Sequence, residues 1–147
     1  MKIKDFVTIF VILIIALSLR LYKIDIPLAD IHSWRQVDTA AVSRNFVNKE
    51  FNLLKPIFDD VSNIQSGIEN PQGLRFVEFP IYNAIVALIY KYVPILPLEV
   101  YGRLVTVFFS LFLIFVIYYF LRLEVGYIAA MVGSLVYSIF PFFVFFS

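Results

Sequence analysis

An all-α, multi-pass membrane protein is the fold class this sequence predicts, and three observations predict it. The 147 residues are 61% hydrophobic and only 16% charged, against roughly 45–50% apolar and about 25% charged in soluble domains. Mean hydropathy is +0.87. The apolar residues also fall into four runs, from Phe6 to Leu19, Ile81 to Val93, Val105 to Leu121 and Val125 to Phe146. These predict four transmembrane helices in a single membrane domain covering residues 1–147, with a long external loop, about residues 24–78, between the first and second.

Composition also narrows the function classes. A net charge of +1 without a basic tail or stripe gives no nucleic-acid footprint. With no cysteine, disulfides and thiolate metal sites are excluded. One histidine rules out a multi-histidine metal site, so a carboxylate-bound divalent ion is the metal chemistry left open, and no cofactor is expected.

The first element begins with the basic start Met1-Lys2-Ile3-Lys4. A signal peptide shares these ingredients, and Ala16-Leu17-Ser18 resembles a cleavage site. Further apolar runs downstream favour an uncleaved helix instead. That helix reaches the roughly 20 residues of a span if it continues through Arg20, Leu21 and Tyr22, with Arg20 and Lys23 snorkelling to the interface.

Within the loop, Ser33-Trp34-Arg35-Gln36 has the S-x-x-Q form of a capping box, predicting an interfacial helix from Trp34 to Lys49. Trp34, Asp38, Ala41, Asn45 and Lys49 share one face at three- and four-residue steps. Val37, Ala40, Val47 and Phe51 form a second face, and Gln36, Ser43 and Glu50 a third. One face can rest on membrane or protein while another presents Asp38 to a polar cavity. Pro56 stops the helix. Asp59-Asp60, Ser66-Gly67 and Asn70-Pro71-Gln72-Gly73 are turn chemistry. So long a loop is functional or disordered, and Trp34, Phe46, Phe51, Phe58 and Phe76 argue against disorder.

Glu78-Phe79-Pro80 opens the second span, with Pro80 suited to a first helical turn; the run to Val93 is short for a span. Pro94-Ile95-Leu96-Pro97 is a tight connector. The third span, Val100 to Leu121, is the clearest. After the polar break Arg122-Leu123-Glu124, the fourth runs from Val125 to Phe146, and Gly126, Ala129, Ala130, Gly133 and Ser134 allow close helix packing. Four spans put both ends on one side with Lys2, Lys4, Lys91 and Arg103, against Arg122 opposite. The positive-inside rule then predicts cytoplasmic ends and an external loop in the cell membrane. The chain closes in an apolar run at Ser147, as expected of the N-terminal part of something longer.

Two stretches carry a family resemblance. His32-Ser33-Trp34-Arg35-Gln36-Val37-Asp38-Thr39-Ala40-Ala41 resembles the HSWRQ-x-DTA signature of one subgroup of GT-C membrane glycosyltransferases. These are of the protein O-mannosyltransferase and aminoarabinose transferase types, the glycosyltransferase family 39-like branch. Glu78-Phe79-Pro80-Ile81-Tyr82-Asn83 resembles that subgroup's EFPLYN stretch. Where many relatives have an adjacent Asp-Glu pair, Arg35-Gln36 stands here, with acids at Asp30 and Asp38. The resemblance implies the N-terminal part of an enzyme transferring sugar from a polyprenyl-phosphate-linked donor, at the membrane lipid surface, to a protein, lipid or glycan acceptor.

Such a transfer needs a base at the acceptor and positive groups for the departing phosphate. Asp38 or Asp30 could be the base. Arg35, Arg44, Lys49 and Arg75 are the phosphate candidates, since guanidinium grips phosphate oxygens bidentately. His32 and Trp34 could contact sugar or acceptor. Glu78, a carboxylate at a span entrance, either sits in water or serves a site. Each has a blander reading: Asp38 and Arg35 as a surface ion pair, Asp30 as a helix start, His32 as structural and Trp34 as an interfacial anchor. The competing functions are a small transporter or channel subunit, against which the spans hold almost no mid-depth ionisable residue, and a non-catalytic protein whose loop binds a partner.

Overall fold

The computed structural model describes residues 3–26, 33–63 and 67–145. Its elements are α1 Ile3–Leu21, α2 Ser33–Asn48, α3 Ile81–Tyr92, α4 Leu98–Glu124, α5 Tyr127–Ile139 and α6 Pro141–Phe145. Among the described residues there is no strand, only an isolated antiparallel bridge between Ile57 and Leu74. The all-α class holds.

The lengths do not reproduce four matched spans. Among the described residues one helix, α4, is long and apolar enough to cross a membrane. Its 27 residues extend about 40 Å. α1 has 19 residues but carries Lys4, Asp5 and Arg20. α3 has only 12, about 18 Å, well short of a hydrocarbon core of roughly 30 Å. The expected fourth span is two helices. Pro141 has no N–H to donate and pushes the preceding residue out of helical geometry, so Phe140 is extended (φ −64°, ψ 124°) and α6 starts afresh at Pro141.

The chain divides into two compact units, residues 1–24 with 106–147, and residues 25–105. In the first, Ile9, Ile12 and Ala16 of α1 pack with Ile114 and Tyr118 of α4 and Ala130 of α5. Polar contacts fix the helix directions. Arg122 Nε donates to Asp5 Oδ1 at 2.7 Å, and Arg20 Nε donates to Ser110 Oγ at 2.9 Å. The start of α1 thus lies beside the end of α4, and its end beside an earlier part of α4: the two are antiparallel. Thr8 Oγ1 meets Tyr127 Oη at 2.8 Å and Arg20 Nη1 donates to Ser138 O at 3.0 Å, so α1 and α5 are parallel. The small residues of α5 do allow close approach, since a Cβ on Gly133 would lie 2.5 Å from Leu121 Cδ1.

The four expected spans are not confirmed, and the helix directions differ from those such spans would have. As first and third of four consecutive spans, α1 and α4 would run the same way. Arg20 is corrected too: it is 5% exposed and bonded inside the bundle rather than snorkelling to an interface. The carbonyl of Ser138 is open to it because α5 ends one residue later, and a cation there suits the negative end of the helix dipole. Asp5, fully buried, also accepts from Tyr118 Oη at 3.2 Å. The two buried charges sit near opposite ends of α1, about 22 Å apart along its axis.

In the second unit α3 is the central helix. Ala84 and Ala87 pack against Val42 and Phe46 of α2, while Val86 faces Tyr101 and Val105 of α4. The run that reads as a second span is therefore a core helix with two buried sides. Pro80 lies one residue before it, its carbonyl accepting from Ala84 N at 3.0 Å.

Between α2 and α3 the loop is held by short backbone ladders. Phe58 N donates to Gly73 O at 2.8 Å and Arg75 N to Pro56 O at 2.9 Å. Asn70 closes the turn, accepting from Leu74 N at 2.9 Å and donating to Leu74 O at 3.0 Å. Gly73 has φ +62°, and a Cβ there would meet Phe58 O at 2.8 Å, so this position requires glycine on two counts.

Candidate functional site

The site residues stand on α2 and on the strand-like approach to α3. α2 forms from Ser33, one residue before the position the capping box predicts, and ends at Asn48. It buries Ala41, Val42, Ser43, Asn45 and Phe46, which leaves Arg35, Asp38 and Thr39 on the side turned towards residues 75–83.

Three contacts join the two stretches. Arg35 Nη2 pairs with Glu78 Oε2 at 3.3 Å, both half exposed. Arg75 Nη1 pairs with Asp38 Oδ2 at 2.8 Å, both partly buried. Asn83 Nδ2 donates to Thr39 O at 2.7 Å. Arg75 is fixed from three directions: its backbone is in the ladder to Pro56, its guanidinium carbon stands 5.2 Å from the Phe58 ring centroid, and Asp38 takes its charge. Such a cation–π contact contributes about 0.5–1 kcal/mol.

The partners differ from those the helix spacing suggests. Asp38 pairs with Arg75, 37 positions away, rather than with Arg35 one turn back. Asp38 Oδ1 makes no hydrogen bond among the described residues, so one oxygen is anchored and the other is open. The face expected to run from Trp34 to Lys49 is not uniform. Trp34 is 62% exposed and Lys49 is exposed, but Ala41 and Asn45 between them are buried. Asn45 Nδ2 donates to Ile57 O at 2.9 Å and to Asp59 Oδ1 at 3.3 Å.

Arg44 forms an ion pair with Asp59 on the exposed side of this contact. The hydrogen bond from Arg44 holds the Asp59 carboxyl below the usual carboxylate range, with Asn45 adding to it. Arg44 is therefore occupied within the fold, in an ion pair of its own beside the Asp38–Arg75 and Arg35–Glu78 pairs. Asp60 accepts from Ser62 N at 2.8 Å, the turn chemistry its sequence suggests. Asp30 and His32 lie outside the described residues.

Sequence reasoning did not single out Asn83 or Asp59 as partners of α2. The signal for Asn83 was present, an amide side chain inside an otherwise apolar run; Asp59 was indistinguishable from an ordinary turn acid. Among the described residues no three of His, Asp and Glu come close enough to share a metal ion. What the arrangement offers chemically is two ion pairs rooted one turn apart on α2: Asp38 with Arg75, one carboxylate oxygen open, and Arg35 with Glu78, both half exposed. The chain matches no family model, no curated protein and no solved structure.

Proposed function

We propose that this chain is the N-terminal part of an integral-membrane glycosyltransferase that takes its sugar from a polyprenyl-phosphate donor. The observation that carries the reading is the meeting of the two stretches that resemble the family. Arg35–Glu78 and Asn83–Thr39 bind them together although they are 43 and 44 positions apart. Asp38 Oδ1 takes the proton from the acceptor hydroxyl or amine as that atom attacks the anomeric carbon. The bond from that carbon to the phosphate oxygen breaks, and polyprenyl phosphate leaves with the electron pair. Arg35, half exposed beside Asp38, stabilises the developing phosphate charge, and Arg75 holds the base in place through Oδ2. Trp34, open at the start of α2, is placed to contact sugar or membrane.

In the membrane arrangement that fits these contacts, three segments cross: α1, α4 and the α5–α6 pair. The chain then leaves the end of α1 and returns to α4 at the same end of the bundle, since Arg20 of α1 bonds Ser110 of α4. The antiparallel run of α1 and α4 supports this, and so does charge. Lys4 and Arg122 fall at the same end of the bundle, as the positive-inside rule favours for a cytoplasmic end.

A second reading has one observation in its favour. The Asp38–Arg75 pair also works as a latch between α2 and the loop, which a non-catalytic protein with a partner-binding loop would equally need. Membranes bearing the full-length gene product, incubated with a radiolabelled polyprenyl-phosphate sugar, separate the two. Label moved to an acceptor supports the enzyme; no transfer from any such donor, with the protein folded, favours the binding protein.

A further inference from the structure

The first two turns of α2 carry Arg35 and Asp38, yet they contribute nothing to its core. From Trp34 to Ala40 no residue is fully buried, whereas Ala41, Val42, Ser43, Asn45 and Phe46 are. The helix is also weakened here. Thr39 Oγ1 donates to Arg35 O at 2.8 Å and Ser43 Oγ to Thr39 O at 3.2 Å. Hydroxyls turned back on carbonyls four residues earlier slightly destabilise and bend a helix. A stretch with so few apolar contacts opens at low cost, so its polar ties decide where Asp38 stands.

One of those ties comes from α3. Asn83, in its first turn, is 4% exposed, and its Nδ2 donates to Thr39 O at 2.7 Å. Thr39 directly follows Asp38 in the chain. The two ties complement each other. Arg75 holds one carboxylate oxygen of Asp38, which leaves the backbone beneath it free to shift; Asn83 holds that backbone. The fold itself does not need the amide. Thr39 lies inside α2, where its carbonyl has the N–H four residues on as helical donor. Losing a buried donor is costly when the acceptor is left without a partner, and this acceptor keeps one.

We propose that Asn83 is a positioning residue for Asp38: by gripping the backbone of α2 one residue further on, it fixes the open oxygen Oδ1 against the acceptor. The inference rests on the glycosyltransferase reading. A short carboxylate side chain passes any shift of its backbone straight to its oxygens, and a misplacement of about 1 Å can cost roughly a hundredfold in rate. Arg35, half exposed on a long flexible side chain, absorbs the same shift. Loss of the Asn83 tie is thus felt in turnover and little in donor binding.

Asn83→Leu, Asp38→Asn and the double variant of the full-length gene product test this in membranes supplied with radiolabelled polyprenyl-phosphate sugar. Asn83→Leu is expected to lower kcat about ten- to a hundredfold. The donor KM and the unfolding midpoint in detergent should stay close to those of the parent. Added to Asp38→Asn, it should lower the rate no further, because the group it positions is gone. Asn83→Ala, with less bulk, gives the same comparison if the leucine protein does not fold. Parent-like turnover in the Asn83 variants overturns the proposal. So does a loss as large in the Asp38→Asn background as in the parent, since Asn83 then serves the fold or another group. If the parent itself moves no label, the glycosyltransferase reading fails, and the positioning role with it.

Discussion

On the proposed glycosyltransferase reading, replacing Asp38 by Asn in the full-length gene product is expected to slow turnover about a hundred- to ten-thousand-fold with donor binding largely kept. The amide keeps the shape of the side chain and removes the proton acceptor. It also weakens the pair with Arg75, a loss of about 1 kcal/mol for an ion pair near the surface, so the protein should remain folded and its thermal unfolding should shift little. Asp30→Asn should be milder. Arg35→Ala should act chiefly on the donor, raising KM through a lost phosphate contact. Rate and KM measured on the three variants decide among the alternatives. Near-normal turnover in Asp38→Asn with abolition in Asp30→Asn makes Asp30 the base, and full activity in both removes the loop from catalysis.

The second large effect is structural. Arg122→Ala should measurably destabilise the bundle of α1, α4 and α5, because it removes the guanidinium from a fully buried carboxylate. Asp5→Asn should cost less, since Arg122 is partly exposed and can turn towards the interface. In the double variant the cost should fall below that of Arg122→Ala alone. Equilibrium unfolding in detergent measures all three. An Arg122→Ala protein as stable as the parent would mean that α1 and α4 are not held in this register.

Much of the local structure was legible in the sequence, because its causes are local. Ser33 and Gln36 mark the start of α2, Pro80 the start of α3, and the uncharged stretch after Arg103 the long helix α4. Gly133 and its neighbours foretold a close helix contact. Two departures from the expected spans had readable signals. Asn83 within the second apolar run is out of place in a lipid-facing span, and Pro141 should have interrupted the fourth. Helix direction was not readable. It is set by Arg20 with Ser110 and Asp5 with Arg122, 90 and 117 positions apart, and no periodicity reports pairings at that range.

The same holds at the candidate site. The two stretches that matter could be picked out as motifs, but the exchange of partners that gives Arg75 to Asp38 and Glu78 to Arg35 depends on the loop ladder through Pro56, Phe58 and Gly73. A helix-spacing argument sees only the i, i+3 neighbour.

The proposed membrane arrangement depends on α1 and α4 crossing in opposite directions, and single cysteines at Asn63 and Glu124 test this most directly. Both positions are exposed. In intact cells a membrane-impermeant thiol reagent should label the Asn63 site and leave the Glu124 site unlabelled until the membrane is permeabilised. Labelling of both sites from outside would restore the four-span arrangement, with α1 and α4 parallel, and would contradict the structure.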